Sequence, residues 1–585
     1  MFRRRQPCPP CPPAAADVTR IRLDGAMKQV IERGRSRLLM AGLMFVIGFS
    51  AIGLRLVDMA LIEGGAEPRL AHVPAGQALR MDRADIVDRN GVILATSLPT
   101  ASLYADPKMV IDARDAARRL VRVLPELSER ELVARLESGR RFVWIRRHLT
   151  PQQKYAINRL GIPGLYFQRE ERRVYPQGRL AAHVVGFTDV DNKGLTGIEK
   201  YFDDLLTGDS APLQLSTDIR VQHALSQELY AAVAEFKAVG ATGLVLDART
   251  GEVLAMASLP DFDPNMPAGN EGAARFNRAT LGVYEMGSTF KIFTAAMALE
   301  AGVVALDGGY DASGPIRMAG FTIDDYKPKR RWLSVPEIFI YSSNIGAAKM
   351  AFDVGIEGQQ RFLEDLDLLR PASIELPETG RPLTPAVWRQ INSATIAYGH
   401  GVSVSPLQMA SAVGAMVNGG VLRPGTLLKR LPDERPIGRQ VISPRTSDAM
   451  RWLMRLAVTH GTGKRAEAPG LLVGGKTGTA EKIGPGGYIK GKLLSSFVAA
   501  FPMTDPRYVV VALVDEPKGN ERTRGYATGG VVAAPVVRRV VERIAPMLGV
   551  PYATAEQAVA RTGADKSTSP ALLRVAARGK DRAAE

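Results

Sequence analysis

Hydrophobic and polar positions change rhythm several times along the chain, and each change predicts an element. From Leu38 to Leu54 the sequence LLMAGLMFVIGFSAIGL carries no charge, and apolar character resumes after Arg55 at Leu56 and Val57. Such a run predicts a helix just able to cross a bilayer core of about 30 Å at about 1.5 Å per residue. Between Asp85 and Ala95 two short apolar runs flank Asn90-Gly91, the signature of a hairpin. Helical spacing then predicts helices over 113–124, 128–136 and, after Asp218, up to Phe236. Residues 243–257 read as two strands joined by a turn at Asp247 to Gly251, 496–501 and 508–515 as further strands, and 531–548 as a long helix. Strands near both ends of this stretch, with helical sequence between them, predict a sheet closed by its terminal segments and covered by helices.

The expected organisation is α+β and multidomain: a basic, Pro-rich tail (1–37), a transmembrane anchor (38–57), an α+β module (58–212), a larger domain (213–548) and a mobile C-terminal tail (549–585). Composition agrees, since 585 residues with 46% hydrophobic and 23% charged positions exclude a collagen or a disordered chain. The net charge of +16 changes the picture only once it is located. Residues 1–37 hold nine Lys/Arg against three Asp/Glu, and after the apolar run Arg55 is the only basic residue before Arg69. By the positive-inside rule this predicts a cytoplasmic amino terminus, a single-pass anchor in the inner membrane and an exported, periplasmic bulk. A cleaved signal peptide would have a shorter apolar region and a small-residue cleavage site, and a buried globular helix would lack the one-sided flank. Export makes nucleic acid a remote partner, and anionic lipid accounts for the basic tail. Cys8 and Cys11 are the only cysteines and lie in PCPPCPP ahead of the run, so no disulfide is expected in the exported part, and a lone Cys-x-x-Cys in a Pro-rich tail reads as solvated chain. None of the histidines, His72, His148, His183, His223, His400 and His460, has ligand spacing with another. No metal and no cofactor are expected.

Candidate chemistry begins at Tyr284-Glu-Met-Gly-Ser-Thr-Phe-Lys, where a glycine precedes a helical pattern starting at about Ser288. Ser288 and Lys291, three apart, share a helix face. A serine hydroxyl needs a base, and a neutral lysine amine can be that base. A free lysine titrates near 10.4, so burial or a second cation must lower its pKa. Taken alone, the spacing is better explained as a capping serine and a solvated lysine. Two further elements alter that weighing. Tyr341-Ser342-Ser343-Asn344 reads as a loop entering a helix, where Ser342 can bond an amine and Asn344 can offer its amide to a peptide. Gly474-Gly475-Lys476-Thr477-Gly478-Thr479 places a cation and two hydroxyls on an extended segment, where Gly478 permits close backbone approach and the hydroxyls can bind a terminal carboxylate.

The ordered trio Ser-x-x-Lys, Ser-x-Asn and Lys-Thr-Gly resembles that of the penicillin-binding proteins and class A β-lactamases. The chain is most similar to a class B penicillin-binding protein, in particular a septal peptidoglycan D,D-transpeptidase, over roughly Arg83 to Pro535. Arg83-Ala-Asp-Ile-Val-Asp-Arg-Asn-Gly, Arg173-Val-Tyr-Pro-Gln-Gly and Gly197-Ile-Glu199 resemble the family's structural pedestal motifs. Ser342-Ser343-Asn344-Ile-Gly and Lys476-Thr-Gly-Thr-Ala-Glu-Lys are closer to the division enzyme than to its elongation relative. Ala84 and Met286 depart from the family's usual Gly and Pro.

The resemblance implies a central antiparallel sheet covered by helices on an α+β pedestal. It implies Ser288 as acylated nucleophile, Lys291 as base, Ser342 as proton relay and Asn344 as holder of the stem-peptide amide. Lys476 would keep Lys291 neutral, Thr477 and Thr479 would bind the carboxylate, and the N–H groups of Ser288 and Thr479 would form the oxyanion hole. The implied partners are a D-Ala-D-Ala donor stem, an amine acceptor, β-lactams, the membrane, and a polytopic lipid II polymerase with other division proteins. An elongation-type enzyme and an inactive penicillin-binding sensor or scaffold remain alternatives. A hydrolase is disfavoured, because class A enzymes use Glu-x-x-Leu-Asn and the chain has no Leu-Asn. His400 and His460, in Gly-rich loops, are weaker candidates for a Ser-His pair.

Overall fold

The computed structural model describes residues 25–57, 83–208, 211–266, 272–431, 433–434, 436–484 and 487–553. The Pro-rich tail with Cys8 and Cys11, His72, and the carboxyl tail from 554 lie outside them. The chain separates into two units, Met1–Arg80 and Met81–Glu585.

In the first unit, helix α1 (Gly25–Val57) contains the apolar run, and its large side chains from Leu38 to Leu54 are exposed. Among the described residues no helix is long and apolar enough to cross a membrane.

The second unit opens with a mixed sheet of β1 (Ile86–Val87), β2 (Ile93–Ala105), β3 (Val143–Leu149), β4 (Leu165–Val174) and β5 (Leu213–Gln214). The expected hairpin at Asn90-Gly91 is present: Gly91 has φ 86°, and the Asp88 carboxylate accepts from the Asn90 and Val92 amides at 2.7 and 2.8 Å. Strand β2 runs on to Ala105, well past the hairpin. Its inward Leu103 and Ala105 pack with Leu120, Leu132 and Leu136 under helices Ala113–Val123 and Glu129–Leu136.

The motifs around Arg83, Arg173 and Glu199 converge on one carboxylate. Glu199 is fully buried and accepts from Arg83 Nε and Arg173 Nε at 2.7 Å each, while Arg83 also reaches Asp203 at 2.7 Å and Arg173 donates to the Ala84 carbonyl at 2.8 Å. Removing one member of a buried ion cluster leaves the others without compensation. Glu199→Gln would set an amide N–H₂ against a guanidinium donor. It is therefore expected to destabilise the pedestal by about 3–5 kcal/mol, read as a lower urea midpoint by circular dichroism; an unchanged midpoint would refute the bracing role.

Further along, β6 (Gly240–Asp247), β7 (Val253–Leu259), β8 (Gly474–Gly484), β9 (Gly487–Phe501) and β10 (Tyr508–Asp515) form an antiparallel sheet in the order β8-β9-β10-β6-β7. The strands are apolar on both faces because both faces are covered. Leu244 and Leu246 of β6 and Val509, Val511 and Leu513 of β10 face one core, with Leu407, Met409 and Phe293. Ala241 and Val245, with Val510, Ala512 and Val514, face the other, with Val221, Leu225, Val537 and Val541. This is the period-two division of a pleated strand. The second layer is α2 (Ile219–Phe236) and the terminal helix Ala533–Met547; the first includes α3 (Lys291–Glu300) and Pro406–Val417. Strand β8 is one of the sheet's two edges.

Candidate active site

Ser288 does not begin an α-helix as the pattern predicts. It sits in a 3₁₀ turn, Gly287–Phe290, that runs into α3 at Lys291. The difference matters, because side chains three apart eclipse on a 3₁₀ turn. Lys291 Nζ accordingly lies 3.1 Å from Ser288 Oγ. The turn is fixed by the Thr289 hydroxyl, which donates to the Met286 carbonyl at 2.8 Å, and by Gly287 at φ 54°, where a Cβ would stand 2.6 Å from the Thr479 carbonyl.

Lys291 is 2% exposed and its amine has four neighbours. Two can only accept: the Ser342 carbonyl at 2.6 Å and Asn344 Oδ1 at 2.7 Å. Two are hydroxyls, Ser288 Oγ and Ser342 Oγ, both at 3.1 Å. A neutral amine has two N–H groups and one lone pair, so the carbonyls consume the donors and leave the lone pair for a hydroxyl. Burial pushes this lysine well below its usual pKa, the adjacent Lys476 ammonium adds to the effect, and Asp325 opposes it.

The segment that supplies those carbonyls is a break between two helices. Helix Val335–Tyr341 ends at Ser342 in the left-handed conformation (φ 60°, ψ 45°), and α4 (Asn344–Val354) begins after Ser343, whose hydroxyl accepts from the Gly346 amide at 3.0 Å as its N-cap. The Asn344 amide nitrogen donates to the Asp324 carbonyl at 2.9 Å, turning its oxygen to Lys291.

Strand β8 brings in the second cation. Lys476 is fully buried, its Nζ donates to Ser342 Oγ at 2.9 Å and stands 6.0 Å over the Phe339 ring, and burial lowers its pKa to about 7. Ser342 Oγ thus lies between two lysines far apart in sequence. At Gly478 any Cβ would collide with the Met286 carbonyl and the Ser496 hydroxyl, so glycine is what lets the sheet edge close on the serine turn. Thr477 Oγ1 is 2.7 Å from Thr462 Oγ1, and Thr479 Oγ1 accepts from the Gly529 amide at 3.0 Å. Ser288, Ser342, Asn344 and Thr479 are half-buried, above two lysines that are not.

Sequence reasoning missed several supporting groups. Asp325 accepts from Asn344, Ile345 and Ser343. Glu285 accepts from the Gly401 amide at 2.6 Å and from Tyr488 at 3.0 Å. Thr462 sits in the Gly-rich loop noted only for His460. The one available signal is the acidic pair Asp324-Asp325 between a short strand-like run and a basic stretch, Lys327 to Arg331. The two histidines have other partners: His400 Nδ1 is 3.0 Å from Glu285, and His460 Nδ1 is 2.8 Å from Thr459 Oγ1. Among the described residues no group of His, Cys, Asp or Glu is arranged to hold a metal ion.

An eclipsed serine and a buried lysine of lowered pKa, a bridging hydroxyl, a second cation and a strand edge suit acyl transfer from a peptide that ends in a carboxylate. Residues 241–542 match the family model of the penicillin binding protein transpeptidase domain, and 79–223 that of the penicillin-binding protein dimerisation domain. The chain is 45% identical over 487 residues, 81% of its length and 82% of the relative's, to a probable peptidoglycan D,D-transpeptidase FtsI of Caulobacter vibrioides. To a probable peptidoglycan D,D-transpeptidase PenA of Neisseria meningitidis it is 34% identical over 563 residues, 89% and 94% of the two chains. The crystal structure of penicillin binding protein 3 from Mycobacterium tuberculosis complexed with aztreonam superposes with a TM-score of 0.65 at 26% identity, covering 81% of this chain and 98% of that one.

Proposed function

Because the chain belongs to the class B penicillin-binding proteins, we propose that it is a serine D,D-transpeptidase that cross-links peptidoglycan stem peptides during cell division. The observation that carries this reading is the Ser288–Lys291–Ser342–Lys476 constellation, held together by contacts of 3.1, 3.1 and 2.9 Å. Lys291 takes the Ser288 proton as the serine oxygen attacks the carbonyl carbon between the two terminal D-alanines. The N–H groups of Ser288 and Thr479 receive the developing oxyanion. The C–N bond breaks, the proton passes through Ser342 to the departing D-alanine amine, and Thr477, Thr479 and Lys476 hold its carboxylate. An amine of a second stem then attacks the ester, gives up a proton by the same route, and releases Ser288. Asn344 orients the donor's amide. β-Lactams enter as analogues of the donor.

The division role rests on the Ser342-Ser343-Asn344-Ile-Gly and Lys476-Thr-Gly-Thr-Ala-Glu-Lys forms and on the relative named FtsI. Residues 58–212 would be the pedestal and 213–548 the catalytic domain, in keeping with the matched ranges 79–223 and 241–542. We place the catalytic domain in the periplasm, with α1 as the anchor, since Leu56 and Val57 extend its apolar run in sequence and the basic residues precede it. A polytopic lipid II polymerase would work beside it.

A fluorescent penicillin tests the reading. The protein is expected to hold the label for hours, sensitive to boiling with hydroxylamine; rapid loss would indicate a hydrolase, and no label an inactive scaffold. Depletion in a bacterium that carries it should give filaments, whereas round cells would move the assignment to elongation.

A further inference from the structure

Asp325 is the charged group nearest the base for which the mechanism above has no use. It follows the short strand Phe321–Ile323, and its carboxylate is directed wholly at the segment carrying Asn344. Oδ1 accepts from the backbone amides of Asn344 at 2.5 Å and Ile345 at 3.0 Å, and the Ser343 hydroxyl meets Oδ1 and Oδ2 at 3.0 and 2.8 Å. These amides are the unpaired donors of the first turn of α4, an 11-residue helix whose positive end favours a carboxylate. Its neighbour Asp324 contributes through the backbone, taking the Asn344 side-chain N–H at 2.9 Å, while its own carboxylate is turned away to Arg330 at 2.7 Å.

We propose that the Asp324-Asp325 turn is the positioning device of the catalytic base: it clamps the Ser342–Asn344 break so that two carbonyl oxygens meet Lys291 and the amine keeps its lone pair for Ser288. The proposal rests on Lys291 being the base. Three of the four contacts of Lys291 come from Ser342 and Asn344, and the turn fixes both the backbone of that segment and the face of the Asn344 amide. Ser342 lies at φ 60°, a conformation that ordinary residues keep only when their surroundings hold it. Asp325 also acts through charge. The titratable groups facing Lys291 are Lys476, from β8, which disfavours its protonation, and Asp325, which favours it.

Two substitutions separate the contributions. In Asp325→Asn the amide oxygen can still accept from Asn344 and Ile345, while its N–H₂ faces the Ser343 oxygen, so the clamp stays and the charge goes. Asp325→Ala removes both. The measurement is the second-order acylation rate with a fluorescent penicillin from pH 5 to 9. With Asp325→Asn the acidic limb is expected to move to lower pH, since the anion that favours the protonated amine is gone. With Asp325→Ala the rate should fall about tenfold to a hundredfold, and Asp325→Asn should restore most of that loss. A profile for Asp325→Asn that superimposes on the wild type would overturn the electrostatic part. An Asp325→Ala that lowers only the melting temperature would overturn the clamp. A wild type acylated at a rate independent of pH would instead refute Lys291 as the base.

Discussion

Lys291→Met is expected to lower the acylation rate by about 10²–10⁴-fold while the protein stays folded. A methionine of similar length fills the buried site, and the cost to the fold is confined to the Ser342 carbonyl and Asn344 Oδ1, which lose their donor. What disappears is the acceptor 3.1 Å from Ser288 Oγ, without which the hydroxyl keeps its proton as it attacks. Ser288→Ala should go further and abolish the covalent label altogether, because the turn's other hydroxyl, that of Thr289, is buried and donates to the Met286 carbonyl. Time courses of labelling read on a denaturing gel, beside thermal melts by circular dichroism, check both. If Lys291→Met reacted at the wild-type rate, the base would lie elsewhere, and His400 beside Glu285 would be the first group to examine.

Acidity gives the second large effect. Lys291 must be neutral to accept a proton, and burial together with Lys476 holds its pKa well below 10.5, so acylation should be lost as pH falls and the amine becomes protonated. Lys476 must be charged to meet a carboxylate, and burial lowers its pKa to about 7, so the rate per unit of free enzyme should also fall on the alkaline side. The result is a bell-shaped profile whose two limbs belong to the coupled pair. Stability should run the other way. In both lysines the folded pKa lies below the unfolded one. Between about 7 and 10.5 for Lys476, therefore, the unfolded chain binds more protons, and stability rises with pH across that window. Lys476→Met should raise the melting temperature at pH 7, flatten its rise with pH and suppress acylation. A lower melting temperature with an unchanged slope would show that the buried ammonium is a structural asset.

Much of the fold is legible in the chain because the signals are local. The turn at Asp247 to Gly251 separates β6 from β7 as its sequence predicts, and α2 ends within a residue of its last apolar position. The reach of β2 and β9 is not legible: Thr100 and Ser102 break the apolar alternation in one, yet both stay paired with β4, and in the other Lys490 and Lys492 fall where the register with β8 shifts, after which pairing resumes at Ile489 and Tyr488. At the site, the three motifs name the groups that the fold brings together, because each holds its polar side chains within a few residues. Their supports are not written that way. Asp325 acts on Asn344, Glu285 on Gly401 and Tyr488, and Thr462 on Thr477, pairings that exist only once the chain has closed. The 3₁₀ geometry of Ser288 is hidden for a related reason, since the Thr479 carbonyl that leaves no room for a Cβ at Gly287 comes from a strand far along the chain.

The left-handed backbone at Ser342 limits how this enzyme could evolve away from its inhibitors. A threonine there would keep the hydroxyl between the two lysines but bring a branched carbon into a region of backbone space that such side chains avoid. Asparagine, aspartate and glycine fit the conformation and lose the relay. A lineage under antibiotic selection therefore has no conservative step open at this position, and heritable resistance would have to arise around the cleft rather than at its floor.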